Sequence, residues 1–226
     1  MKILTLLFGI MLFSFPVKSQ DTIQKVPYTQ DFILKEGLYL TFSQFLNNNP
    51  VPKYKIVSQV PRDIPTYLSE VTKADTIHYI GENGFIIPVP TSRIWGYCEN
   101  NTLFVRYQNQ FNRVIVIGTI GFFMTQVTVT STIYDDPYYS YYYDPFYYPI
   151  SGTPRQVKSN EIKRYLIDFK TGEILPFTYS NLEVLLSADT ELYNEYISLS
   201  KRKRRKLMLL YLRRFNERNP LMLPQN

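Results

Sequence analysis

Residues 134–149 read YDDPYYSYYYDPFYYP and concentrate eight of the chain's 20 tyrosines with three aspartates and three prolines. A phenol combines a flat apolar ring with a polar tip, which suits stacking on sugars, protein contacts or a membrane interface. Tyr138, Tyr139, Tyr141, Tyr142, Tyr143, Tyr147 and Tyr148 are therefore candidate binding residues. Asp135, Asp136 and Asp144 have the chemistry of a carboxylate pair for glycoside hydrolysis, or of oxygen ligands to Ca²⁺, although their spacing is not that of an EF-hand. The prolines and hydroxyls are incompatible with a regular buried strand, so a long loop between strands is expected here.

A second concentration is cationic. Residues 201–206 are Lys-Arg-Lys-Arg-Arg-Lys, and residues 201–218 carry nine basic side chains against one acid, Glu217. Such a run attracts polyanions, and Arg202, Arg205 and Lys206 are the candidate contacts. At about 100° per residue, Leu207, Met208, Tyr211, Leu212 and Phe215 share one helical face, which Tyr193 and Ile197 continue upstream. Arg202, Lys206 and Arg213 lie opposite it with Glu191 and Glu195. Lys201 and Arg204 fall in phase with the apolar face, so a single helix either projects past the core there or bends near Ser200.

The third possibility is the pair His78 and Cys98, a base and a nucleophile if neighbouring strands bring them together. The surrounding Gly-Tyr-Cys-Glu-Asn matches no nucleophile motif, and both residues read equally well as ordinary sheet positions. One Cys and one His in 226 residues exclude a zinc finger, a Cys-cluster metal site and a disulfide framework. There is no glycine-rich phosphate loop and no G-x-S-x-G motif. No cofactor, metal site or catalytic residue is therefore expected, and a non-enzymatic role is favoured.

The elements that must position these residues follow from composition and punctuation. A hydrophobic share of 45% with 19% charge is an ordinary globular balance. Lys2, the apolar stretch 3–15 and the small residues Val17 and Ser19 form the pattern of a signal peptide over residues 1–19. No other segment reaches the roughly 18 apolar residues of a spanning helix, so no transmembrane span is expected after cleavage. Without Lys2 and Lys18 the net charge drops from +6 to +4. Export argues against a nucleic-acid partner for the basic run. The polyanions of an envelope are lipid headgroups and lipopolysaccharide phosphates.

Residues 20–36 read as an extended lead-in. Thr41 and Gln44 have capping-box spacing and predict a short helix over 42–48 that Pro50 and Pro52 stop. Strand signals follow at 76–80, 85–89, 93–98, 102–107, 113–120, 122–133, 155–169 and 173–178, separated by Asn- and Gly-containing turns. Gly121 is taken as the junction between two of them. Ser180 and Glu183 predict a second capping box, and Asp189 is placed to cap a long helix ending at Asn219-Pro220. The expected fold is α+β, mainly β: an antiparallel meander sheet or partly open barrel of about eight strands with a C-terminal helix. Residues 37–179 make the β-rich domain, and the helices of 180–219 pack on it.

The pattern G-x-Y-x-T-x-x-x-F-x-x-N-x-P at residues 37–50, with Phe-Asn-Glu-Arg-Asn-Pro at 215–220, resembles a group of uncharacterised exported proteins from Bacteroidetes. The resemblance implies export in a Gram-negative cell, and no recognisable C-terminal sorting domain is read in the sequence, so periplasm is expected first and cell surface or release second. It assigns no functional residues. The expectation is an exported envelope protein that binds a partner protein, a glycan or anionic lipid. A small apolar-ligand binder with a barrel-like cavity is the second reading, and a carboxylate-based glycan hydrolase the third.

Overall fold

The computed structural model describes residues 24–133 and 154–225. The expected signal peptide and the tyrosine-rich segment lie outside them. The fold is mainly β: a curled, half-barrel antiparallel sheet of seven strands, with the C-terminal helices packed on it. Its strands are β2 (Gly37–Tyr39), β6 (Gly96–Glu99), β7 (Thr102–Tyr107), β8 (Gln110–Val116), β9 (Ile120–Ile133), β10 (Arg155–Asp168) and β11 (Ile174–Pro176). From β6 to β11 each strand pairs with its sequence neighbour, and β2 closes the far edge beside β6. A smaller sheet joins β3 (Ile56–Val57), β4 (Thr76–Ile80) and β5 (Ile86–Pro90), and β1 (Lys25–Pro27) pairs with β12 (Met222–Pro224). The helices described are α1 (Phe42–Leu46), α2 (Tyr67–Val71), α3 (Tyr179–Leu186), α4 (Thr190–Ser198) and α5 (Lys201–Arg218).

Strand alternation gives the sheet two apolar faces. Tyr39, Cys98, Leu103, Val105, Val114, Phe123, Tyr165 and Ile167 point to one, where they meet Phe32, Leu34, Phe45, Phe169, Leu221 and Leu223. The lead-in is thus part of the core. Phe122 and Leu166 point the other way, against Leu182, Leu192, Tyr196, Met208, Leu212 and Phe215 of the helices. At the β2 end of that face, Leu38 and Tyr97 pack with Ile56, Leu68 and Ile77. Val114 pairs with Phe123 while Val116 pairs with Phe122. Ile115 is therefore an extra residue, a β-bulge that turns Val116 onto the helix face.

Two turns and one helix cap differ from the sequence reading. The β7–β8 hairpin turns at Gln108 and Asn109, both at positive φ (48° and 62°), so β8 starts at Gln110 rather than 113. Two consecutive left-handed residues suit the twist of a two-residue hairpin turn. The β8–β9 turn falls at residues 117–119, and Gly121 lies inside β9. Gly121 is there for room: a Cβ on it would sit 2.5 Å from Phe169 Cε2. Helix α3 is capped by Thr178, whose Oγ1 accepts from Asn181 N at 3.2 Å, not by Ser180.

The expected long helix is two. Asp189 caps α4, accepting from Leu192 N at 3.1 Å, and Leu199 and Ser200 are extended, so the chain bends where Ser200 suggested. That bend resets the helical phase. Leu192 and Tyr196 are buried, whereas Ile197, placed on the apolar face by one continuous helix, is 40% exposed.

The β4–β5 edge carries its own protection. Thr91 N donates to Asp75 O at 2.8 Å, and Phe85 O accepts from Gly81 N at 2.8 Å. By alternation along the strand, the backbone nitrogens of residues 86, 88 and 90 face away from β4. Pro88 and Pro90 occupy two of those positions, where no N–H is left to template an added strand.

Candidate functional site

The two sequence signatures resolve into architecture. Gly37 has φ +150°, and a Cβ on it would lie 2.3 Å from Val51 O. Its neighbour Leu38 exchanges backbone hydrogen bonds of 2.9 and 2.8 Å with Val51. Buried Tyr39 donates from its hydroxyl towards Lys35 O at 3.0 Å and Asn48 Oδ1 at 3.2 Å. Thr41 caps α1 by accepting from Gln44 N at 3.2 Å, and Gln44 Oε1 accepts from Leu40 N at 2.7 Å. Phe45 stacks on Trp95 at 4.9 Å and packs on Phe169 at 5.0 Å between ring centroids. Asn48 takes the left-handed conformation, φ 44°, that ends the helix. Gly37, Tyr39, Thr41, Phe45 and Asn48 of the pattern thus each close, cap or fill something.

The tail signature is a clamp. Where β8 has ended at Val116, the Asn216 side chain takes the place of a strand: Oδ1 accepts from Ile120 N at 2.8 Å and Nδ2 donates to Ile120 O at 2.7 Å. Thr119 Oγ1 donates to Asn219 O at 2.5 Å. Arg218 pairs with Asp189 at 2.8 Å and Glu191 at 2.6 Å. Phe215 is buried. These contacts seat α5 on the sheet.

The outer face of α5 is left over, and it is cationic. Met208, Tyr211, Leu212 and Phe215 are buried as their spacing predicts. Of the nine basic residues, Arg204, Arg214 and Arg218 are paired internally. Arg204 bonds Glu183, and Arg214 grips Glu195 with bonds of 2.5 and 2.7 Å. The Arg214 bonds, with the Tyr211 hydroxyl 2.7 Å away, lower the Glu195 carboxyl to about 2. Lys201, Arg204 and Arg205 crowd the Tyr179 ring at 5.4 to 5.6 Å, a contact of cation–π type. Arg205, a sequence candidate, therefore has one flank occupied. Arg202 and Lys206 are exposed and make no ion pair to a described residue, and the same holds for Lys203 and Arg213, which the sequence reading left out of the site. Helical phase places these four on one side, around Leu209 and Leu210, which are 41% and 50% exposed. Counting phase outward from Met208 would have found all six.

This charge opposes local stability. The start of a helix carries the positive end of its dipole and favours acids, yet the first turn of α5 has no acid and the run begins at Lys201. Ser200 supplies no side-chain cap.

The remaining sequence candidates separate. His78 is exposed on β4, opposite Pro88 and Val57. Cys98 is buried on β6 in the other sheet, and burial, helped by the Glu36 charge, pushes its thiol up to about 12. A buried, protonated thiol is not a nucleophile. The seven candidate tyrosines of residues 138–148 and the three aspartates lie outside the described residues, although Ile133 and Arg155 pair at the end of the long β9–β10 hairpin that leads to them. Among the described residues no group of three His, Cys, Asp or Glu side chains is arranged to hold a metal ion. No described helix is long and apolar enough to cross a membrane.

Searches of curated proteins and of solved structures found no significant match. A family match runs from residue 37 to residue 219, from the glycine that opens the first signature to the asparagine that ends α5: the chain belongs to the family of unknown function DUF6563.

Proposed function

We propose that the chain is an exported, non-enzymatic binding protein of a Gram-negative envelope, periplasmic in location, which attaches to an anionic envelope surface through the outer face of α5. The observation that carries this is the arrangement of Arg202, Lys203, Lys206 and Arg213 around exposed Leu209 and Leu210, on a helix whose inner face is locked to the sheet. Arg202 and Lys203 lie in the first turn of α5, against the helix dipole, and weaken the fold locally, so their use lies outside the fold. Leucines ringed by cations suit a surface that is charged outside and apolar beneath, as phospholipid headgroups or lipid A are. The reading of residues 1–19 as an export signal, and the resemblance to exported Bacteroidetes proteins, support the compartment.

The test is co-sedimentation with vesicles of phosphatidylethanolamine containing phosphatidylglycerol, against vesicles of zwitterionic lipid alone. Each cation near an anionic surface contributes about 1 kcal/mol, so the quadruple variant R202Q/K203Q/K206Q/R213Q should lose binding by up to about a thousandfold at low salt. Its unfolding midpoint should be unchanged or slightly raised. Absence of binding by the unaltered protein at low salt, or full binding by the quadruple variant, refutes the proposal.

A further inference from the structure

A second surface, independent of α5, has the chemistry of a sugar site. An open groove of about 780 Å³ runs between the β4–β5 turn, the segment 49–55 and the start of α1. Two aromatic side chains on its walls stand out in solvent, Tyr54 at 66% and Phe85 at 74% exposure. Rings of this size are ordinarily drawn into a core, and Tyr54 and Phe85 are held out by well-made backbone. Phe85 ends a closed turn in which Gly81 N donates to Phe85 O at 2.8 Å and Gly84 N to Gly81 O at 3.0 Å. Gly84 supplies the positive φ, +77°, that the turn requires. Tyr54 sits in a short 3₁₀ turn, Lys53–Lys55, tied down by the ion pair of Lys53 with Glu36 at 2.8 Å.

The same groove has polar groups with nothing to do. The side chains of Asn49, Asn83 and Glu82 line the groove, and none is hydrogen-bonded to a described residue. Two amides and a carboxylate offer both donors and acceptors. With Lys53 paired to Glu36, the rim is left with Lys35 and Lys55 against Glu82, a net charge of +1 that is too weak a field to select a polyanion. An extended peptide adding to the β5 edge is refused by Pro88 and Pro90. What remains is a neutral ligand that is flat and apolar on one side and rich in hydroxyls at its rim.

We propose that this groove binds a neutral oligosaccharide, with Tyr54 and Phe85 stacking on the apolar faces of pyranose rings and Asn49, Asn83 and Glu82 taking the hydroxyls. The full chain is titrated with cellohexaose, maltohexaose and chitohexaose by isothermal calorimetry at low and high salt. Saturable, salt-independent binding of at least one is expected. Y54A and F85A should each weaken it by about tenfold, the worth of one stacked ring, with unfolding midpoints unchanged because both rings are exposed. The quadruple α5 variant should bind sugar normally, which separates this site from the proposed lipid surface. Failure of all three sugars at millimolar concentration, or binding that survives the Y54A/F85A double change, overturns the proposal. If F85A instead removes vesicle binding and no sugar binds, the rings belong to the lipid surface and the sugar site is refuted.

Discussion

The amide clamp between α5 and the sheet makes a quantitative prediction. Asn216 satisfies both backbone groups of Ile120 at 2.8 and 2.7 Å. Replacing it with Ala leaves a part-buried N–H and C=O without partners, at about 1–3 kcal/mol for each such group. Partial access of water favours the lower half, so Asn216→Ala should cost about 3 kcal/mol. The side chain also lies over Gly118, where a Cβ would come within 2.4 Å of Asn216 Cγ. Gly118→Ala should therefore destabilise by about 1–3 kcal/mol through overpacking. The two costs are not independent, because truncating Asn216 removes Cγ and Nδ2, the two atoms that the new methyl would strike hardest, and leaves only Cβ at 2.8 Å. The double variant should be more stable than the sum of the single effects by at least about 1 kcal/mol. Urea unfolding measures this: with a slope of about 2 kcal/mol per molar, Asn216→Ala should lower the midpoint by about 1.5 M. A shift under about 0.3 M, or strict additivity in the cycle, would refute the clamp.

Two further outcomes follow from the titrating groups. Burial holds the Cys98 thiol protonated up to about 12, so Ellman's reagent at pH 8 should leave the native protein unmodified and label one thiol once urea unfolds it. Rapid labelling of native protein would contradict the placement of β6. The Glu195 carboxyl is held down to about 2 by Arg214 and then Tyr211, below its value in an unfolded chain. A depressed carboxyl contributes stability that is whole above about pH 4.5 and is lost as pH falls toward 2. Glu195→Gln should therefore flatten the acid limb of a stability–pH curve between those limits, and an unchanged slope there would show that the ion pair does not persist in solution.

What the sequence showed, and what it hid, divides along physical lines. Local chemistry was legible: β4 and β7 have the expected bounds, Thr41 and Asp189 cap their helices, and Met208, Tyr211, Leu212 and Phe215 face inward as their spacing requires. Contacts made at a distance were not. Nothing local announces that Val26 pairs with Leu223, that Ile115 is bulged, or that the glycine at 121 serves Phe169 rather than a turn. The bend at Leu199 was visible only as an alternative, because a charge run is in phase with one face or the other depending on where the helix breaks. The cationic outer side of α5 was half legible for the same reason: Arg202 and Lys206 were identified, while Lys203 and the two leucines needed the observed burial of the opposite side.

The two sequence signatures are the parts of the chain least free to act on anything else. Gly37, Tyr39, Thr41, Phe45 and Asn48 are each committed to a close approach, a hydroxyl bond, a cap, an aromatic stack or a left-handed turn. Asn216, Arg218 and Asn219 are committed to seating α5. A substitution at any of them acts first on stability, and a loss of binding in such a variant carries no information about the site. The surfaces that violate local preference without stabilising the fold are elsewhere: Arg202, Lys203, Lys206 and Arg213 around two exposed leucines on α5, and two rings in water beside unbonded amides. Function is to be sought by altering those positions, where the fold has nothing to lose, and the seat of α5 is what makes such variants interpretable.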